Sequence, residues 1–157
     1  MNMRLRLPIL RFVPLLFLAC GGEDEPLEPL LQLENPWARA MPLIQDGSAT
    51  PTNSAVYLSI QNGGTEADRL LAGSTPAAAG VEIHRSLLVD DVMRMERLDG
   101  LDVPPDSTVQ LEPGGYHLML LGLTGALEEG GELELTLSFQ RSGDLVLRVP
   151  VGQPDGR

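Results

Sequence analysis

Along SAVYLSIQN, residues 54–62, Val56, Leu58 and Ile60 alternate with Tyr57, Ser59 and Gln61. A period of two is the signature of an extended strand, so this segment predicts one buried face and one wetter face. ELELTLSFQ is cleaner: Leu133, Leu135, Leu137 and Phe139 point one way, Glu132, Glu134, Thr136 and Ser138 the other. DLVLRVPV repeats the pattern through Leu145, Leu147, Val149 and Val151, with RSGD as the hairpin between the two. LLQLE, DRLLAG, GVEIHRSLL, VMRMERL, TVQLEP and GYHLMLLGL read as further strands. No segment keeps a helical period long enough to cover a sheet; STPAAAG has room for one helical turn. Eight or nine short strands separated by turn residues predict an all-β fold, an antiparallel β-sandwich of Greek-key type.

Composition narrows the partners. The chain has 157 residues and a formal net charge of −11, enough for one domain with a hydrophobic core. All of its basic residues are Arg; there is no Lys. Such an acidic chain repels nucleic acid and anionic lipid, which excludes both as natural ligands.

The beginning of the chain departs from this pattern. MNMRLRLPILR carries three Arg and no acid, and FVPLLFLA then leads to Cys20. A basic segment followed by a short apolar run reads as an export signal, too short to cross a bilayer. LFLAC followed by GG resembles a bacterial lipoprotein signal, which implies cleavage before Cys20 and a lipid on that residue. The expected organisation is a signal at 1–19, an acidic tether at 20–30, the β domain at 31–152 and a short tail at 153–157. The membrane is then reached through the lipid anchor alone, on the periplasmic or cell-surface side. Cys20 is the one cysteine, so the folded domain has neither a disulfide nor a thiolate ligand.

The candidate chemistry lies in the His and Met residues. The chain has two histidines, His84 and His117, with Met93, Met95 and Met119 near them in sequence. In a strand, residues two apart share a face, so His117 and Met119 project together while Tyr116, Leu118 and Leu120 face the core. Imidazole nitrogen with thioether sulfur suits Cu(I). Zinc prefers thiolate, imidazole and carboxylate, and hard cations need clustered oxygens. The competing reading is packing, since Met fills irregular gaps in cores and a lone His is commonly a satisfied polar residue. Residue types alone leave both open.

The spacing carries a resemblance. His84 and Met95 enclose ten residues, Met95 and His117 enclose twenty-one, and Met119 completes a His-x-Met. Together with NPWARA, AVYLSIQN, ADRLLAGSTP, VEIH, VMRMERLDGLDVP and LEPGGYHLMLLGL, this resembles the periplasmic Cu(A) copper chaperones over residues 31–151. That family has a cupredoxin-like sandwich. The resemblance implies a site for one Cu(I) ion held by His84, Met95, His117 and Met119. It also implies a monomer that passes copper to the Cu(A) subunit of cytochrome c oxidase or to a thiol-bearing assembly factor. Many members have Met after the first His, where this chain has Arg85. Some carry a His- and Met-rich tail, where this one ends VGQPDGR.

Two other classes compete with that reading. A copper buffer would keep the site without the oxidase client. A metal-free binding module would leave the four residues apart in space. An enzyme is disfavoured, because no Ser/His/Asp set is apparent and the motif already uses both histidines.

Overall fold

The computed structural model describes residues 30–41 and 53–152, and everything in them that is regular is strand. The signal, Cys20, nearly all of the tether and the tail at 153–157 lie outside the described residues. Ten strands form: β1 (Leu31–Ala38), β2 (Ser54–Asn62), β3 (Asp68–Ser74), β4 (Ala78–Val89), β5 (Val92–Leu98), β6 (Leu101–Val103), β7 (Ser107–Leu111), β8 (Tyr116–Leu123), β9 (Glu132–Phe139) and β10 (Gly143–Pro150).

The sheet runs β1-β2-β7-β8-β4-β3-β9-β10, with β5 on β4 and β6 on β3. Neighbours distant in sequence, such as β2 with β7 and β3 with β9, require the crossovers of a Greek-key arrangement. A bridge between Ala38 and Val151 brings the two ends of the sheet together, so the sandwich closes almost into a barrel. That bridge and the single β7–β8 pairing, Leu111 with Tyr116, are parallel, and the other strand pairs are antiparallel.

The core follows the alternation. Leu135 and Leu137 of β9, Leu118 and Leu120 of β8, and Val56 and Ile60 of β2 are fully buried. Each such side chain contributes roughly 1.5–3 kcal/mol relative to exposure. Phe139 pairs with Gly143 across a tight hairpin whose Gly143 takes a φ of 72°, as the RSGD turn requires.

Three expectations are corrected. β6 is not among the predicted strands, because its alternation, Leu101 and Val103 buried about an exposed Asp102, spans three residues only. STPAAAG forms no helical turn, because Ser74 ends β3 and Ala78 already begins β4. The second face of β2 is wet only at Gln61. Tyr57 and Ser59 are as buried as their neighbours, since Trp37 stacks on Tyr57 with ring centres 4.4 Å apart and Ser59 Oγ donates to Gln110 Oε1 at 2.7 Å.

The β4–β5 hairpin shapes the site. Asp90 and Asp91 form its two-residue turn, both at positive φ (50° and 60°), while Val89 pairs with Val92. Positive φ at both central residues matches the twist of the flanking strands, and Asp tolerates it better than most residues. β5 pairs only with β4, so the ribbon projects from the barrel with Leu88, Val92, Met93 and Met95 more than half exposed.

Candidate metal centre

β4 is flanked at His84 by two strands. On one side His84 pairs with His117 of β8, and on the other with Arg97 of β5. One rung further along the ribbon, Ser86 pairs with Met95; one rung the opposite way, Glu82 pairs with Met119. Because paired residues share a face and residues two apart share a face, His84, Met95, His117 and Met119 all project from the same side of the β5-β4-β8 sheet. Met95, His117 and Met119 line one concavity of about 160 Å3 with Arg39, Ser54 and Tyr57. The His84 ring centre is 5.7 Å from that of His117. The four residues singled out by spacing thus share one face of the sheet, three of them lining the concavity and His84 standing beside His117.

The two imidazoles are held differently. His117 is 5% exposed, with its Nδ1 3.2 Å from the Gly115 carbonyl. A carbonyl only accepts, so Nδ1 carries the proton and Nε2 keeps its lone pair. Gly115 is set by the turn before it, where Gly114 has a φ of 85°. The same Gly115 oxygen accepts the Ser86 amide at 3.0 Å, tying β4 to this turn. His84 places Nε2 2.8 Å from Glu82 Oε2, and its Nδ1 is buried without a hydrogen-bond partner among the described residues.

Burial holds the His117 pKa below its ordinary value, and the nearby His84 and Arg39 push the same way against the Gly115 hydrogen bond. The ring therefore stays neutral to lower pH than a free imidazole, and a neutral ring is what a metal needs. Tyr57 closes the far wall, its ring centre 6.3 Å from that of His117, and Arg39 Nη2 donates to its hydroxyl at 3.1 Å. Met95 forms the open side at 64% exposure.

Among the described residues no three His, Cys, Asp or Glu gather into a metal-holding group. Any ion taken here must accept thioether sulfur beside imidazole, which favours a soft monovalent ion over zinc, calcium or magnesium.

Several residues fall differently from the sequence reading. Met93 is 58% exposed and pairs with Leu88, so it lies on the ribbon's surface. Arg85 lies on the opposite face from His84 and reaches Glu96 at 3.1 Å. A Met at that position would point away from the site, so Arg85 removes no donor from it. Tyr57 also lines the concavity. Glu82 was missed, although VEIH already places a carboxylate two residues before His84 on the same strand face. Ser86, two residues after His84, follows from the same alternation, whereas Arg39 had no local signal, because only the tertiary pairing brings it here.

Comparison with known proteins gives the class first. The fold is that of PCuAC domains: it matches the copper-bound PCuAC domain from PmoF2 with a TM-score of 0.63 at 27% identity, over 80% of this chain and 94% of that one. The apo PCuAC domain from PmoF1 matches with a TM-score of 0.63 at 30% identity, over 80% and 95%. The chain belongs to the LpqE-like family, described as "Putative lipoprotein LpqE-like", whose profile matches residues 31–151. A Leifsonia xyli subsp. xyli protein, "Putative lipoprotein Lxx21020", is 30% identical over 99 residues; the match spans 62% of this chain and 60% of that relative's own length.

Proposed function

We propose that this protein is an extracytoplasmic Cu(I) metallochaperone, anchored by a lipid on Cys20 and without catalytic activity of its own. His84, Met95, His117 and Met119 hold one Cu(I) ion. The ion leaves by ligand exchange to a thiol-bearing acceptor, with the Cu(A) site of cytochrome c oxidase as its destination. The observation that carries this reading is the common face of four soft or neutral donors beside a concavity lined by no carboxylate. The copper-bound PmoF2 relative and the lipoprotein description of the family support it.

The mechanism follows from donor chemistry. Two imidazoles and two thioethers are neutral, so they bind Cu(I) without placing negative charge in a half-buried site. A cysteine of the acceptor gives up its proton to solvent, forms a copper–thiolate bond, and a copper–thioether bond breaks. Copper remains Cu(I) throughout. Thiolate outcompetes thioether for this ion, so transfer runs toward the acceptor. Met95 is the donor an incoming thiol meets first, because it is 64% exposed while His117 is buried. That exposure favours delivery over storage, for which an enclosed site would serve better.

The test is an anaerobic Cu(I) titration against a chromophoric chelator, in a Cys20→Ser background so that the free thiol does not compete. The parent takes up one equivalent, and Met95→Ala with Met119→Ala lowers affinity by at least about tenfold, or 1.4 kcal/mol. A parent that fails to compete with the chelator defeats the reading.

A further inference from the structure

Glu82 lies outside the four-residue donor set, yet it is the strongest polar contact of one member. Its Oε2 is 2.8 Å from His84 Nε2, and its Oε1 forms an ion pair with Arg97 Nη1 at 3.1 Å. The three side chains come from adjacent positions: Glu82 and His84 share a face of β4, and Arg97 is the cross-strand partner of His84 on β5. Glu82 is 25% exposed and His84 15%, whereas Arg97 is 66% exposed. The contact is thus sheltered where it meets the imidazole and open where it meets the guanidinium.

An ionised carboxylate has no proton to give, so the short contact requires the proton to sit on His84 Nε2. In a neutral ring Nδ1 is then a bare lone pair, and this is the atom that is buried without a partner among the described residues. Buried polar nitrogens are rarely left without a partner, and an orphan of this kind needs an explanation. His117 shows the opposite arrangement, with Nδ1 on the Gly115 carbonyl and Nε2 left as its donor.

Resting on the Cu(I) reading above, we infer that Glu82 is a positioning residue: it fixes the His84 tautomer so that this ring binds copper through Nδ1 while His117 binds through Nε2. Arg97 holds the carboxylate in place by its second oxygen. Outer-sphere carboxylates of this kind orient a ligating imidazole and raise its basicity, and losing one costs about 10- to 100-fold in metal affinity.

The experiment uses the 15N-labelled protein with Cys20→Ser and compares it with Glu82→Gln and Glu82→Ala. Long-range proton–nitrogen correlation spectra read the tautomer of each imidazole, first without copper and then with one equivalent of Cu(I). In the metal-free parent His84 shows Nε2–H, and copper moves its Nδ1 resonance. Glu82→Gln, whose amide oxygen still accepts from Nε2–H, keeps that tautomer and an affinity near the parent's. Glu82→Ala mixes the two tautomers of His84, leaves His117 in its Nδ1–H form as an internal control on folding, and weakens Cu(I) binding by about tenfold or more. Unchanged His84 tautomer and affinity in Glu82→Ala, or copper moving Nε2 of His84 in the parent, overturns the inference. A parent that takes up no copper defeats the functional reading instead, while the metal-free spectra still decide whether Glu82 sets the tautomer.

Discussion

β2 joins two ends of the molecule that treat buried polar groups in opposite ways. At its Asn62 end the buried polar side chains Asn62 and Asp68 have their partners. Asn62 donates to the Glu66 and Val103 carbonyls at 2.9 and 3.1 Å and accepts the Gly64 amide at 3.0 Å. Beside it, Asp68 is 7% exposed and accepts from the amides of Arg69, Arg141 and Ser142 and from the Ser142 hydroxyl at 2.6–3.0 Å. At the Tyr57 end, His84 keeps a buried nitrogen without a partner, and Met95 stands in solvent. A buried polar group with all its bonds made is there to fix the fold, and removing it should cost stability. A buried donor atom held in one orientation and left unpaired contributes little to folding, and removing it should cost function.

The largest effect expected from this contrast is in Asp68→Ala. It strips the acceptor from two β9–β10 hairpin amides and one hydroxyl at once. Hydrogen bonds to a charged group contribute about 1.5–3 kcal/mol each, and groups left unsatisfied add their own cost. The variant should lose about 3 kcal/mol or more, seen as a drop in Tm of about 10 °C. Its Cu(I) affinity, measured well below the new Tm, should match the parent's. A stable Asp68→Ala, or one that folds but binds copper poorly, would erase the distinction between the two ends.

The same division marks what could be read from the sequence. β9 was plain, because Leu133 to Phe139 alternate against Glu, Thr and Ser, and β10 repeats the alternation from Leu145 to Val151 although its outward face carries the exposed Val146. The two faces of β2 were not plain, because Tyr57 and Ser59 look like solvent residues until Trp37 and Gln110 cover them. β1 was read as LLQLE and runs on through Trp37 to Ala38. Its pairing with β2 slips between Glu34 and Trp37, around Asn35 at a φ of 49°. A bulge breaks the period of two that a sequence reader follows. At the candidate site, His-x-Met was visible because one strand carries both residues. Glu82 was visible by the same rule, two residues before His84 on the same strand face. Ser86 follows His84 by two residues on the same face, and Arg39 alone reaches the concavity through pairing between distant segments, for which the sequence holds no local mark.

Acid should separate the two ends as well. Burial, acting first, together with His84 and Arg39, lowers the His117 pKa from 6.5. The unfolded chain then binds more protons than the native one, so the stability this ring contributes is complete above about pH 6.5 and is lost as pH falls toward its native value. For Asp68 burial alone would raise the pKa, but the hydrogen bonds from Ser142, Arg141 and Arg69 outweigh it and hold the carboxyl below 3.8. Its contribution is complete above that value and disappears only in stronger acid. Urea midpoints of the metal-free protein between pH 7.5 and 3 should therefore fall in two stages. His117→Leu should flatten the upper stage and Asp68→Asn the lower. A single stage abolished by either substitution would mean that the two ends do not titrate independently.

The smallest effect is the one that most sharply limits the site. Met93 and Met95 lie two residues apart on β5, share a face, and are 58% and 64% exposed. Neither has much apolar surface to lose on truncation, so Met93→Ala and Met95→Ala should each change stability by no more than about 0.5 kcal/mol. Burial and residue type do not distinguish them. Register does, because Met95 pairs with Ser86, next to the His84–His117 rung, while Met93 pairs with Leu88 one rung further out along the ribbon. Only Met95 also lines the concavity with His117 and Met119. Met93→Ala should leave Cu(I) affinity within about twofold of the parent, a shift of under 0.5 kcal/mol, whereas Met95→Ala weakens it. Equal losses in the two variants would mean that the ribbon collects copper through exposed sulfur in general, and the register of β4 against β5 would no longer define the site.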